Sequence, residues 1–303
     1  MPRHHTPSHS LASQDSQATR RIQERVGRNY LDFDEPPAPD AHVLVRAVGD
    51  RRVRAWDVAQ LDGEGGPVFV LLHGLGAGAL LFQEVIEELR RYGRLLVVDL
   101  PGFSNLPRPR RPMTMEDFAA SVEALVERID LSEELDVDNP VLIGHSMGTQ
   151  VALELARRAP RLAGRLVLIA PVMGPGTQRL DHAALAFARS SLHERPTGAL
   201  VSISGFLHAG LVWPARTLPF VLRYPFAERV SAIGGHLEIV RGTHDLLCPQ
   251  AWAEELLERS GATGSVRVAE GASHQVILDH AHTVVEAVLS AAGSVPNRAD
   301  RPE

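Results

Sequence analysis

The sequence predicts an α/β fold organised around a mostly parallel sheet with helices on both faces. Three observations lead there. Short apolar runs alternate with helix-like stretches from Val68 to Ala170, the order expected of successive strand–helix units. The run Val68–Leu72 is continuously apolar, which marks a strand covered on both sides. The alternation stops from about Met173 to Val230 and resumes at Leu237, so a single insertion divides the fold.

The elements follow in order. Val43–Ala47 and Val53–Val58 alternate apolar and polar residues and read as paired strands. Leu61–Gly66 is a turn-rich connection, and the buried strand Val68–Leu72 stops at His73-Gly74. Phe82, Val85, Ile86 and Leu89 then recur at helical spacing. Leu95–Leu100 is the next buried strand, closed by Pro101-Gly102. Thr114-Met115-Glu116-Asp117 has the form of a capping box, and the helix it opens places Phe118, Val122, Leu125, Val126 and Ile129 on one face. Pro140–Ile143 leads into Gly144-His145-Ser146-Met147-Gly148 and a helix-like stretch, Thr149–Ala159, ended by Pro160. Arg165–Ala170 adds a strand. After the insertion come Leu237–Arg241, a helix around Trp252–Glu258, the strand Ser265–Val268 and a last helix from about His280 to Ala292.

Composition excludes several function classes. The 303 residues are 44% hydrophobic, enough for a sizeable core. A net charge of -6 lacks the basic excess of a nucleic-acid binder, so no nucleic-acid partner is expected. No apolar run reaches the roughly 18 residues of a membrane span. All 31 basic residues are arginine, and without lysine neither Schiff-base chemistry nor a P-loop is possible. The single cysteine, Cys248, forms no intrachain disulfide, which suits a cytoplasmic compartment. Residues 1–40 are expected to form a largely disordered tail, most plainly Met1 to Gln23, which lacks the apolar stretch of a signal peptide. Residues 294–303 read the same way.

The chemistry centres on Ser146. A G-x-S-x-G sequence between a strand and a helix forms a sharp turn that lifts the serine above the sheet and needs small residues at both ends. A serine hydroxyl is a weak nucleophile until a base, oriented by a third group, removes its proton. Asp245 and His274 each follow a strand, and parallel sheets carry their sites at the carboxyl ends of strands. The order is Ser, Asp, His, with separations of 99 (245 − 146) and 29 (274 − 245) residues. Rival assignments are weaker. His244 shares a loop with the acid, His145 lies inside the serine turn, and Cys248 has no turn around it. Arg108, Arg110 and Arg111 lie between prolines and read as a solvated loop. No cluster has metal-ligand spacing and no G-x-G-x-x-G follows a strand, so neither metal nor other cofactor is expected.

Five ordered motifs make the chain resemble the α/β-hydrolase superfamily, in its subset of serine hydrolases with a cap. His73-Gly74-Leu75-Gly76 is similar to the family's HG loop, Asp99 to Ser104 to its D-x-x-G-x-S segment, and Gly144 to Gly148 to its nucleophile elbow. Gly242 to Pro249 is similar to the acid loop and Gly271 to His274 to the base loop. The resemblance implies an eight-stranded sheet, a core of residues 41–172 and 231–293, and a mainly helical cap, 173–230, inserted after strand 6. It implies Ser146, Asp245 and His274 as a triad, with the backbone N–H groups of Leu75 and Met147 as oxyanion donors. His73 would order the oxyanion loop, and Asp99 would shape its own. Members that cleave halides or epoxides use aspartate at the elbow, against Ser146. Serine there supports ester, thioester or amide hydrolysis, and the apolar cap makes an ester or thioester of a small to medium hydrophobic substrate the first reading. C–C bond hydrolysis, cofactor-free perhydrolysis of the haloperoxidase type, or simple ligand binding are the alternatives. The cap is apolar, and its Phe206, Trp213 and Phe220 are the expected substrate contacts, on a cap that moves.

Overall fold

The computed structural model describes residues 35–62, 65–131, 139–174, 176–194 and 209–293. The expected tails therefore lie outside the described residues, apart from 35–40. That short stretch is tied down, with Ala38 buried in the core and Asp40 paired to Arg90.

Eight strands form one sheet: β1 (His42–Val48), β2 (Arg51–Val58), β3 (Val68–Leu72), β4 (Arg94–Asp99), β5 (Val141–His145), β6 (Arg165–Ile169), β7 (His236–Gly242) and β8 (Thr263–Ala269). Their order is β1-β2-β4-β3-β5-β6-β7-β8. β2 runs antiparallel to both its neighbours, and every other pairing is parallel. The mostly parallel eight-stranded sheet expected from the sequence is the one observed.

Nine helices cover it: α1 (Gln83–Leu89), α2 (Met115–Leu131), α3 (Met147–Arg158), α4 (Leu180–Ser191), α5 (Val212–Leu222), α6 (Phe226–Val230), α7 (Gln250–Ser260), α8 (Val276–Asp279) and α9 (Ala281–Ala292) are those of the described residues. Alternation along each strand sorts the side chains into two cores. Val70 and Leu72 of β3 pack with Phe118 of α2, Val151 of α3 and Trp252 of α7. Phe69 and Leu71 pack on the other side with Ile86 of α1 and Val284 and Val288 of α9. Both faces of the central strands are thus dry, which is why their sequences read as unbroken apolar runs.

A local signal sets the start of α2. The Thr114 hydroxyl accepts the Asp117 N–H at 3.2 Å, and the Asp117 carboxylate accepts the Thr114 N–H at 3.1 Å, so the expected capping box forms with aspartate in the third position. α4, α5 and α6 occupy the insertion between β6 and β7. The insertion is held to α3 by buried polar contacts. Gln150 Nε2 donates to the Val221 carbonyl at 3.1 Å, and the Tyr224 hydroxyl donates to Glu154 Oε1 at 2.8 Å. No helix among the described residues is long and apolar enough to cross a membrane.

Candidate active site

Three parallel strands deliver the three candidate side chains to one end of the sheet. Ser146 sits between β5 and α3 with φ 54° and ψ −120°, a region that non-glycine residues avoid at a cost of about 1–3 kcal/mol. Two neighbours hold it there. Its N–H donates to the Ile169 carbonyl at 2.9 Å, and its own carbonyl accepts from the Thr149 N–H at 3.0 Å and hydroxyl at 2.5 Å. The flanking glycines are required by space. A Cβ on Gly148 would lie 2.1 Å from the Leu72 carbonyl oxygen, and one on Gly144 would lie 2.4 Å from that of Gly148. Both obstacles are backbone, so neither can step aside.

Asp245 stands three residues past β7 and is buried. Its Oδ1 accepts the N–H groups of Leu247 at 2.9 Å and Cys248 at 3.2 Å, and its Oδ2 faces His274 Nδ1 at 2.9 Å. Burial pushes its carboxyl pKa up, but the charge of His274 and these hydrogen bonds outweigh that, and the net direction is down. Asp245 is therefore held ionised. His274 lies past β8, and its Nε2 is 3.0 Å from Ser146 Oγ. Burial lowers its pKa, but the Asp245 carboxylate beside it raises it further, so the net direction is up from the ordinary histidine value. With Asp245 ionised, Nδ1 carries the proton and donates it, leaving Nε2 to accept from the serine hydroxyl. Ser146 itself is only half-buried, so the site opens to solvent at the serine.

The surrounding histidines are orienting groups. His145 Nε2 donates to the His274 carbonyl at 3.1 Å, and burial followed by the nearby His274 charge depresses its pKa to about 3, so it stays neutral. His73 Nδ1 donates to the Gly74 carbonyl at 2.7 Å, while its Nε2 accepts the Leu100 N–H at 3.0 Å. It ties the loop after β3 to the loop after β4, and burial keeps it uncharged. Asp99 completes the frame. Its Oδ2 accepts from Arg54 and Trp56, each at 2.8 Å, and its Oδ1 accepts the Ala79 N–H at 2.8 Å. The loop carrying Leu75 is thus fixed at both ends. Met147 opens α3, where the first N–H groups of a helix have no partner within it.

The residues singled out in the insertion are placed differently from one another. Trp213 is fully buried, donates from Nε1 to the Pro101 carbonyl at 3.1 Å and sits edge-on to Phe103. Phe220 is 36% exposed. Phe206 lies outside the described residues. Among the described residues of the insertion, Phe187 of α4 meets the site, its ring edge-on to His274 at 6.2 Å between centroids. His244 turns away from the serine and stacks on His193 at 4.2 Å. Cys248 is buried and its thiol pKa is pushed up, mainly by burial, which removes thiolate character.

A serine turn, a histidine and a buried aspartate at the carboxyl ends of a mostly parallel eight-stranded sheet define the architecture of a hydrolase. The profile of the Alpha/beta hydrolase family matches residues 69–287, and the chain belongs to that family. The biotin biosynthesis bifunctional protein BioHC of Cellvibrio japonicus is 26% identical over 246 residues, covering 73% of this chain and 47% of that protein. Among solved structures, a thermophilic esterase from Thermogutta terrifontis superposes with a TM-score of 0.68 at 20% identity, covering 85% of this chain and all of the other (100%). An enol-lactonase from Burkholderia xenovorans LB400 gives 0.66 at 21% identity, with 82% and 100% covered. At such identities these two structures speak for the fold alone. The chain spans only 29% to 47% of the length of several curated relatives it matches.

Proposed function

We propose that the protein hydrolyses carboxylic esters or thioesters of small to medium hydrophobic substrates through an acyl-enzyme on Ser146. The observation that carries this reading is the continuous chain from Asp245 Oδ2 to His274 Nδ1 at 2.9 Å and from His274 Nε2 to Ser146 Oγ at 3.0 Å. Ser146 Oγ attacks the substrate carbonyl carbon while its proton passes to His274 Nε2. The resulting oxyanion is held by the N–H groups of Met147 and Leu75. Collapse breaks the bond to the leaving alkoxide or thiolate, which takes the proton from His274. Water then repeats the sequence, giving its proton to His274 and freeing the acid from Ser146. Asp245 fixes the imidazole tautomer and balances the transient imidazolium. The insertion acts as a cap, and Phe187 beside His274 supplies an apolar edge to the acyl site.

The test is a fluorophosphonate probe followed by a series of p-nitrophenyl esters of increasing chain length, run beside a diketone. Stoichiometric labelling that disappears in Ser146→Ala, with turnover of the esters, supports the reading. Turnover of the diketone alone would replace it with C–C hydrolysis, and absence of labelling in folded protein would defeat it.

A further inference from the structure

We infer that Glu194, carried by the insertion, is a positioning carboxylate that stands beside His274 and sets the pH at which that base becomes available. This rests on the reading of His274 as the base, and adds a third group to the pair it forms with Asp245.

The end of α4 is docked over the loops that carry the acid and the base. Leu246 N–H donates to Ser190 Oγ at 3.0 Å, and Ser190 is fully buried. His193 stacks on His244 with rings 4.2 Å apart and 14° from parallel. Phe187 meets His274 edge-on. Glu194 follows directly, its N–H donating to the Ser191 carbonyl at 3.2 Å. These contacts bring its carboxylate beside the hydroxyls of Ser191 and Ser273 and within electrostatic reach of His274.

Glu194 Oε1 and the hydroxyl of Ser273, the residue that precedes His274, are both shut away from solvent, and the Ser273 and Ser191 hydroxyls beside the carboxylate favour its ionised form. A buried carboxylate is costly unless donors and a nearby cation compensate its charge. The cation nearby is His274 once it has taken a proton. The coupling runs in both directions. Burial pushes the Glu194 carboxyl pKa up and His274 pulls it back, while Glu194 adds to Asp245 in raising His274 against its own burial. Among the described residues, the ionisable groups facing His274 are Asp245 from the acid loop, His145 from β5, which is neutral, and Glu194 just past the end of α4. Glu194 also faces Asp279 of α8. Asp245 belongs to the core and is always present. Glu194 rides on the insertion, so the proton affinity of the base reports whether the insertion is seated.

The sign follows directly. Removing the Glu194 charge weakens the hold of His274 on its proton, so the neutral base persists to lower pH. The experiment is the pH profile of kcat/KM for a p-nitrophenyl ester in the wild type, Glu194→Gln and Glu194→Asp. In the glutamine variant the acidic limb moves to lower pH by about 0.5 to 1 unit, which makes it roughly three- to tenfold more active relative to its own plateau on that limb. The aspartate variant keeps a limb closer to the wild type. Coincident limbs in the wild type and Glu194→Gln overturn the inference, whatever the plateau rates, because a packing role alone scales the whole profile. An NMR titration of His274 in Ser146→Ala, with and without Glu194→Gln, reads the same shift without turnover; an unmoved titration is equally fatal. Fluorophosphonate labelling of the wild type separates the two levels. Labelled protein with unmoved limbs defeats this inference only, and unlabelled protein defeats the reading of the site on which it stands.

Discussion

Asp245→Asn isolates one function of the proposed triad, because the surrounding hydrogen bonds dictate how the amide must lie. Asp245 Oδ1 accepts two backbone N–H groups, Leu247 at 2.9 Å and Cys248 at 3.2 Å. An NH₂ turned toward them would set donors against donors in a buried site, so the amide oxygen takes the Oδ1 position. The NH₂ then faces His274 Nδ1, where Oδ2 now stands at 2.9 Å. It donates, Nδ1 becomes the acceptor, and the imidazole proton moves to Nε2. That nitrogen lies 3.0 Å from Ser146 Oγ and now offers a proton where it should accept one. The base is present, in place and in the wrong tautomer. Loss of the correct tautomer in a triad of this type costs about 10⁴-fold in kcat, or about 5.4 kcal/mol at 1.36 kcal/mol per factor of ten. Stability changes little by comparison. Every hydrogen bond keeps a partner and only its charge assistance is lost, on the order of 1–2 kcal/mol. The assay is kcat with a p-nitrophenyl ester beside a thermal melt. A folded variant that keeps more than about a tenth of wild-type turnover would refute the tautomer switch. Asp245→Ala would be a poorer test, since it also strands two buried N–H groups.

Four further outcomes are expected. Ser146→Ala loses roughly 10⁴- to 10⁶-fold in kcat while its circular dichroism and melting temperature stay close to wild type; residual esterase activity in a clean preparation would sink the nucleophile assignment. Gly148→Ala drives a methyl into the Leu72 carbonyl, 2.1 Å from its Cβ, and is expected to destabilise by about 3 kcal/mol and to displace the Met147 donor, both checked by denaturant titration and kcat. The acidic limb of kcat/KM lies above the ordinary histidine value of about 6.5, because His274 is raised and acts only when deprotonated; a midpoint below that value would contradict the direction. Trp213→Ala empties a fully buried site and is expected to cost about 3–5 kcal/mol in denaturant unfolding, and a change of ester chain-length preference beside that loss would show that its ring also shapes the acyl pocket.

The sheet and its site were largely legible because their signals are local. Val68–Leu72 is apolar at every position since both of its faces are covered, and Thr114 and Asp117 write a capping box in four residues. Ser146, Asp245 and His274 each stand just past a strand, so their shared edge follows from strand direction alone. The antiparallel setting of β2 and the strand order were not readable, because pairing depends on residues distant in sequence. The insertion was the least legible part. α5 contains Pro214 and Pro219, which blur a helical signal, and α4 leaves Leu180 and Leu185 exposed, against the rule that leucines mark the covered face. The proximity of Phe187 and Glu194 to His274 spans 80 residues or more of sequence and has no local signature.

The anchoring of the insertion argues for an unequal division of any motion within it. Gln150 and Glu154 follow Ser146 at intervals of four on α3, one turn apart, so the helix that presents Ser146 also carries both anchors. Glu154 is 1% exposed and is satisfied by Tyr224, by Arg157 and by Arg229 at 3.4 Å. Lifting α5 and α6 away would take Tyr224 and Arg229 from a buried carboxylate and expose the Gln150 amide, the costly way to break a buried ion pair. That half of the insertion is therefore fixed to the same rigid body as Ser146. The contacts of α4 are of another kind, with no buried ion pair among those described: Ala183 reaches the core, Ser190 accepts one hydrogen bond from Leu246, His193 just beyond the helix stacks on His244 at the surface, and the edge of Phe187 meets His274. They give way at less cost, and they are the contacts that bear on His274 and Asp245. A cap that opens would do so by releasing α4 while α5 and α6 stay seated, uncovering the base side of the site before the nucleophile side.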